Sequence, residues 1–513
     1  MLRPFFLGFL PRAVFFGIQP RAVFLGILPR AVFLGIPLRA VFLGIPLRAV
    51  IVGLLLGAVL FSFQLNAQES NLSSNVEKGW KTGVARVVIT PPEYMWMAGY
   101  AARDKPAEGK LHDLWLKALA LKDAEGNTAL LITSDIIGFS RDLSQSICSK
   151  LYKKYKLERK DIILSSSHTH SGPVLNNNLY GIYPPFDDKQ KEQIQRYQHF
   201  LEVQVLIAAE RAFGSLAPSY ISTGVGISRF AVNRRESGWE GDILYNPDVK
   251  GPSDHTVPVI KISDENKRLM AVVFGYACHA TSLSINKWSG DYPGFAQIEL
   301  EKMYPSATAM FFAGFGADQN PFPRGGVLQA EQYGKELAVS VERILLGQMK
   351  RLSPSLTTVY DEIELEIAES PDQTELEQII KNGADWEKRW ATMIKEKQAA
   401  GEKLEDSYPF YPVQGWQLGE QSLVVLGGEV VVDYALALRE LLGNDIILIG
   451  YSNDVMTYIP SERVLKEGGY EGKSSMWVYG HRGTWEPGIE EKIINEVVRQ
   501  MDFCKNEEID YLE

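Results

Sequence analysis

Cysteine is scarce in this chain: Cys148, Cys278 and Cys504 are the only three among 513 residues. They are too few and too widely spaced for a disulfide framework, and are expected to be buried thiols, with one bridge left open to an exported protein. Histidine is nearly as rare, at seven, so two placed close together carry weight. Basic charge is in deficit, with 53 Lys and Arg against 63 Asp and Glu and a net charge of -10. Six of the arginines and no acid fall within the first 67 residues, so the remainder is more acidic still. Such a body lacks the cations that phosphate contacts need, which excludes nucleic acid as a partner. After residue 70 no apolar run is long enough to cross a bilayer.

What is present begins with a repeat. Residues 1–48 cycle through nine-residue units such as "RAVFLGIPL", each with an arginine and usually a proline. Proline at that frequency breaks helices, so no folded unit is expected there. After Arg48 the pattern changes to a basic residue, an apolar run over 49–67 and small residues at its end. That is the layout of a secretory signal peptide; the reading expects cleavage near Ala67 and export to the periplasm, cell surface or medium, in preference to an uncleaved anchor.

From Gly83 onward, short apolar runs rich in β-branched residues ("GVARVVIT", "TALLITSDIIGF", "DIILSSS", "LMAVVFGYACH", "TAMFFAGFG") alternate with amphipathic stretches. The alternation predicts an α/β fold, mixed β-sheets covered by helices, in one large domain over 68–513. A charged segment at about 374–403 reads as a solvated helix or helix pair, an insertion or flap with no chemistry assigned to it.

The chemistry centres on "ILSSSHTHSGP" (163–173), where a strand runs into a small-residue turn. On an extended chain His168 and His170 project to one side, at the strand end where α/β folds place ligands. Such a pair suits a metal, a proton shuttle, or one of each. "VVFGYACHATSL" repeats the layout at His279, whereas His112, His199, His255 and His481 read as surface or packing residues. A catalytic zinc takes three protein ligands, commonly His and carboxylate. Glu429 follows a strand and two glycines and opens a helix; it is either a site acid or a carboxylate stabilising the helix dipole. Asp318, Gln319 and Asn320 form a further strand-end turn, as site edge or as ordinary turn residues.

Nine segments fall in the order of a known family: "GVARVVITPP", "MAGYA", "SSSHTHSGP", "AVNRR", "ACHATSL", "SGDYPG", "GADQNP", "GGEVVVDY" and "GYSNDVMTYIPSERVLKEGGYEG". In these the chain resembles the neutral/alkaline non-lysosomal ceramidases from about Gly83 to Gly472. The resemblance implies a zinc ion held by His168, His279, Glu429 and Tyr458, with His170 as acid/base or oxyanion partner. It further implies that Arg234 and Tyr470 hold the polar group of the substrate. One departure is Asn320, which stands where the family has a serine that has been given a catalytic role. Family members often carry an immunoglobulin-like domain after the catalytic one, and the reading expects a bacterial-type member without it.

The function expected is an exported, zinc-dependent amidohydrolase acting on a ceramide-like N-acyl lipid by metal-activated water, with peripheral membrane contact left open. The alternatives are a zinc hydrolase of another amide or ester, and a non-catalytic protein with a structural metal.

Overall fold

The apolar runs form strands whose two faces are both buried, which is why they lack the polar alternation of a half-exposed strand. The computed structural model describes residues 79–176, 178–237 and 243–510; the repeat and the signal segment lie outside them. Strands β1 (Trp80–Val88), β2 (Trp115–Lys122), β3 (Thr128–Ser134), β4 (Ile162–Ser166) and β5 (Ala217–Ile227) lead the chain. After β6 (Ala231–Ser237) and β7 (Ile243–Asp248) come β8 (Thr256–Asp264), β9 (Leu269–Tyr276), β10 (Thr308–Ala313), β11 (Gln319–Pro321) and β12 (Lys350–Arg351). Among the described residues they build a nine-stranded sheet in the order β10-β9-β8-β5-β1-β2-β3-β4, with β12 beside β5, and a small sheet β11-β6-β7. Most neighbours are antiparallel, but β3 with β4 and β9 with β10 are parallel. The sheet is mixed, as expected.

A second sheet, β13-β14-β15-β17, is formed by β13 (Leu356–Glu366), β14 (Ser407–Leu418), β15 (Gln421–Leu426) and β17 (Ile447–Ile449). Two more short strands, β16 (Glu429–Val430) and β18 (Tyr458–Ile459), pair with each other in parallel. Alternation along the strands sorts the core. Leu131, Ile163, Ile260 and Met310 of the large sheet meet Trp416, Leu423, Val425 and Ile447 of the second. The intervening residues turn outward: Leu130, Ile132, Ile162 and Leu164 pack on helices α1 (Arg141–Tyr155) and α2 (Asp188–Gly214). Val272, Phe274 and Phe311 share a cluster with α3 (Asp291–Met303) and α4 (Val327–Leu346). Two sheets face to face with helices outside give the α/β architecture.

The charged segment is indeed a helix pair, α5 (Gln373–Asn382) and α6 (Asp385–Ala399), but it is anchored. Leu376, Trp390, Ala391 and Ile394 are buried in the main core cluster. Trp390 stacks on Trp477 with ring centroids 4.3 Å apart and planes at 12°. All three cysteines are free and buried, and no described helix is long and apolar enough to cross a membrane.

Candidate active site

Three parallel strand pairs, β3 with β4, β9 with β10 and β15 with β17, run their carboxyl ends toward one place, where α/β folds bind ligands. β4 leads to His168, β9 to His279, and β15 to Glu429.

His168 and His170 meet differently from a pair on an extended strand. β4 ends at Ser166, and His168 takes a left-handed backbone with φ of 53°. That conformation is strained for a non-glycine residue and is held by its surroundings. His168 Nδ1 lies 2.6 Å from the Ile137 carbonyl. His170 N donates to the Ala280 carbonyl at 3.3 Å, joining the two histidine loops. Gly99, at φ +95°, lies so close to His170 that a β-carbon there would sit 2.4 Å from its Cγ. As a result the rings of His168 and His170 lie 5.0 Å apart, and those of His168 and His279 4.9 Å apart.

Glu429 precedes its helix by a short strand rather than opening it: α7 (Val432–Leu442) starts three residues later, and Glu429 sits in β16 directly opposite Tyr458 of β18. This register joins two candidate ligands. Glu429 is 1% exposed, and its Oε2 lies 3.1 Å from Nε2 of both His168 and His279. Tyr458 Oη is 3.2 Å from the same His279 Nε2.

The proton inventory around Glu429 is the informative part. A carbonyl only accepts, so His168 Nδ1 must carry the proton in its bond to Ile137, and Nε2 of a neutral ring then turns a lone pair toward the carboxylate. Glu429 Oε2 receives no directed hydrogen bond despite the short distances. Burial opposes the charge on Glu429, and what holds its carboxyl low is positive charge at the His168 and His279 positions, which neutral rings leave to a cation. Burial first, then Arg234, lowers His279 to about 3, so that ring is neutral at neutral pH. A carboxylate facing an imidazole lone pair fits a cation between them, and imidazole with carboxylate is a donor set that divalent metals take. His168, His170 and His279 also offer nitrogens within 4.8 Å of one another, so the imidazoles alone form a candidate metal group.

The other expected residues converge as well. Arg234 is buried and donates to Glu471 Oε1 (2.7 Å), Asn320 Oδ1 (3.3 Å) and Tyr458 Oη (2.9 Å). Tyr470 meets the Tyr458 ring edge-on, with centroids 5.2 Å apart. Asn320 Oδ1 also accepts from Thr281 Oγ1 at 3.1 Å. Asp318 and Gln319 act as braces instead: Asp318 caps the start of α7 through Val432 N at 2.8 Å, and Gln319 takes the His279 amide on its carbonyl at 2.9 Å. His112, His255 and His481 are tied to packing partners, and the His199 side chain is exposed.

Sequence reasoning missed Tyr479, Tyr451 and Tyr183. Tyr479 Oη donates to Glu429 Oε1 at 2.7 Å. Tyr451 Oη lies 3.4 Å from His279 Nδ1. Tyr183 Oη accepts from Gly99 N at 2.9 Å, beside His170. Tyr183 and Tyr479 also line an open groove of about 510 Å³ with Leu179, Trp390, Met393 and Trp477. Arg389 closes one wall by donating to the carbonyls of Gly181 (3.1 Å) and Tyr183 (2.9 Å). The helix pair read as a solvated flap therefore walls a cavity whose tyrosines bond to the site.

The family model described as neutral/alkaline non-lysosomal ceramidase, N-terminal, matches residues 80–320, which hold His168, His170, Arg234, His279 and Asn320. That match assigns residues 80–320 of the chain to the family. Glu429, Tyr458 and Tyr470 lie beyond the matched residues, and the fold brings them to the same centre. The neutral ceramidase of Pseudomonas aeruginosa is 23% identical over 289 residues, 49% of this chain and 41% of that protein. Neutral ceramidase B of Dictyostelium discoideum is 24% identical over 286 residues, 51% of this chain and 38% of that protein. The aligned part is thus about two fifths of the length of these curated relatives. The crystal structure of the Pseudomonas aeruginosa neutral ceramidase superposes with a TM-score of 0.62 at 18% identity, covering 83% of this chain and 75% of that one. The family's mixed α/β fold is shared.

Proposed function

We propose that the chain is an exported zinc hydrolase that cleaves the amide of a ceramide-like N-acyl lipid with water, releasing a fatty acid and a sphingoid-type amine. The observation that carries the reading is Glu429 Oε2, 3.1 Å from two imidazole nitrogens with no hydrogen bond directed at it. His168, His279, Glu429 and Tyr458 would hold the cation. Bound there, zinc supplies a Lewis acid for the carbonyl oxygen and lowers the pKa of water toward ~7.

The protein's own groups supply the rest. Both ring nitrogens of His170 lack a protein partner among the described residues. Burial first, then His168 and His279, pull its pKa well below the ordinary histidine range. A neutral imidazole so placed can take a proton from water and pass it to the leaving nitrogen. Arg234, oriented by Glu471 and Asn320, brings a fixed positive charge against Tyr458, where the oxyanion of an opening amide gains from it. Tyr470 borders the same edge and would help hold the polar part of the substrate. The aromatic groove, within the ~300–1,000 Å³ typical of ligand sites, supports a substrate with a hydrocarbon chain. The N-terminal layout supports export.

A second reading keeps the centre and changes the substrate to another amide or ester. Asn320 favours it, because a mechanism that needs the family's serine hydroxyl has none at this position. A purely structural ion is disfavoured by the unpartnered nitrogens of His170. The test is hydrolysis of a panel of N-acyl sphingosines, other N-acyl amines and esters by the purified protein. Ceramide cleavage that stops on chelation and returns with zinc is expected; activity indifferent to chelation would defeat the proposal.

A further inference from the structure

A second cavity, of about 200 Å³, lies beside Arg234 and Asn320 and is lined also by Asn233, Asn246, Phe322 and Arg324. It is too small for a long hydrocarbon chain and borders the candidate centre through one guanidinium, since Arg234 also bonds Tyr458. Most of its lining is apolar, from Val232, Pro247, Pro321, Phe322 and Pro323, and Asn320 and Arg324 are left to bring donors to it, since Asn233 Nδ2 and the Arg234 guanidinium are bonded within the protein. Asn320 Oδ1 is engaged by Arg234 and Thr281, so its Nδ2 group is turned away from them, and among the described residues it donates to no protein atom. Arg324 is exposed and meets only the Thr281 carbonyl, at 3.5 Å. Among the described residues no carboxylate pairs with it, and no acidic side chain lines the cavity.

An exposed arginine is ordinarily a solvated surface charge. This one stands at a cavity that already holds a second arginine and an amide donor, a few bonds from the candidate site of amide cleavage. We propose that the cavity receives an anionic group, a carboxylate or a phosphate, on the amine half of the substrate, held by Arg324 and Asn320 Nδ2. This rests on the hydrolase reading in its second form, another amide at the same centre, and names that amide's class: the leaving amine carries a negative charge, in contrast to the neutral diol of ceramide. The chemistry balances as amide plus water to a fatty carboxylate and an ammonium that keeps its anionic substituent. Asparagine in place of serine then has a physical role, because an amide nitrogen donates to an anion from a carbonyl-anchored orientation that a rotating hydroxyl lacks.

The experiment compares three amides of one acyl chain on the zinc-loaded full chain: N-lauroylglycine, N-lauroylethanolamine phosphate and neutral N-lauroylethanolamine. One of the two anionic amides should exceed the neutral one in kcat/KM by about tenfold, as expected for a hydrogen bond to a charged group; which one does so separates carboxylate from phosphate. Arg324→Gln should collapse that ratio by a similar factor, chiefly through KM, and Arg324→Lys should restore part of it. Preference for the neutral amide, or an unchanged ratio in Arg324→Gln, would overturn the proposal. Calorimetric binding of N-lauroylglycine to metal-free protein separates the two readings. Arg324-dependent binding with no turnover of any amide would leave this site standing and defeat the hydrolase. Turnover of neutral amides with binding indifferent to Arg324 would do the reverse.

Discussion

Tyr479→Phe removes one oxygen and keeps the ring that walls the groove. The lost atom donates at 2.7 Å to Glu429 Oε1, on a carboxylate that is 1% exposed. A hydrogen bond to a charged group contributes about 1.5–3 kcal/mol, and an unmet buried oxygen keeps its desolvation cost. At ~1.4 kcal/mol per decade this corresponds to a roughly 10- to 150-fold change in an equilibrium constant. Partners that orient metal ligands typically shift affinity by ~10–100-fold, so the two estimates agree. Zinc dissociation constants for both proteins, from competition with a fluorescent chelator near neutral pH, give the comparison, with thermal midpoints as the check on folding. The variant should bind zinc at least about tenfold more weakly. A dissociation constant within about twofold of wild type, in a protein that melts normally, would show that Glu429 is not oriented by this phenol and would refute the reasoning.

Three further outcomes are expected. His170→Ala should retain zinc while losing about 10²–10⁴-fold in turnover, the usual range for a general acid–base group; loss of metal instead would make His170 a ligand, as the clustering of the three imidazoles allows. Asp454 is raised by burial from 3.8 to about 7, against the opposing Tyr408 hydrogen bond and Arg141 charge. The folded state therefore prefers the protonated acid, and the stability present below pH ~4 is lost as pH rises through ~7, on the order of 4 kcal/mol in total. Asp454→Asn should escape that loss and raise the denaturation midpoint more at pH 8 than at pH 5; an equal shift at both would contradict the perturbed carboxyl. Asn320→Ser should raise ceramide cleavage relative to other amides if this position sets the substrate; no change in the ratio would assign the difference elsewhere.

Much of the framework was legible because it is local. Strands buried on both faces announce themselves as unbroken apolar runs, and helices such as α4 show their 3.6-residue period. The strands missed were of another kind: β13, "LTTVYDEIELE", lies at the edge of its sheet with most positions half-buried or exposed, so no apolar run marks it. Within the site, His168, His170 and His279 stood out by rarity and strand-end context. Glu429 alone was ambiguous, and Tyr458 and Tyr470 entered through the family resemblance. The register that sets Glu429 against Tyr458 comes from two-residue strands 29 positions apart, too short for a pattern to reveal. Tyr479 lies 50 residues from the carboxylate it orients, and "MWVYGHRG" offers no periodic cue. The helix pair was read from its charges, yet Trp386 and Trp390 among those charges were the sign of a packed face.

The central claim is that the His168, His279 and Glu429 donors hold one divalent cation. Elemental analysis of the purified full chain and of Glu429→Gln, after dialysis against zinc and then metal-free buffer, tests it most directly. Near-stoichiometric zinc in the wild type and little in the variant is predicted. Zinc absent from both, or retained equally by both, would contradict it.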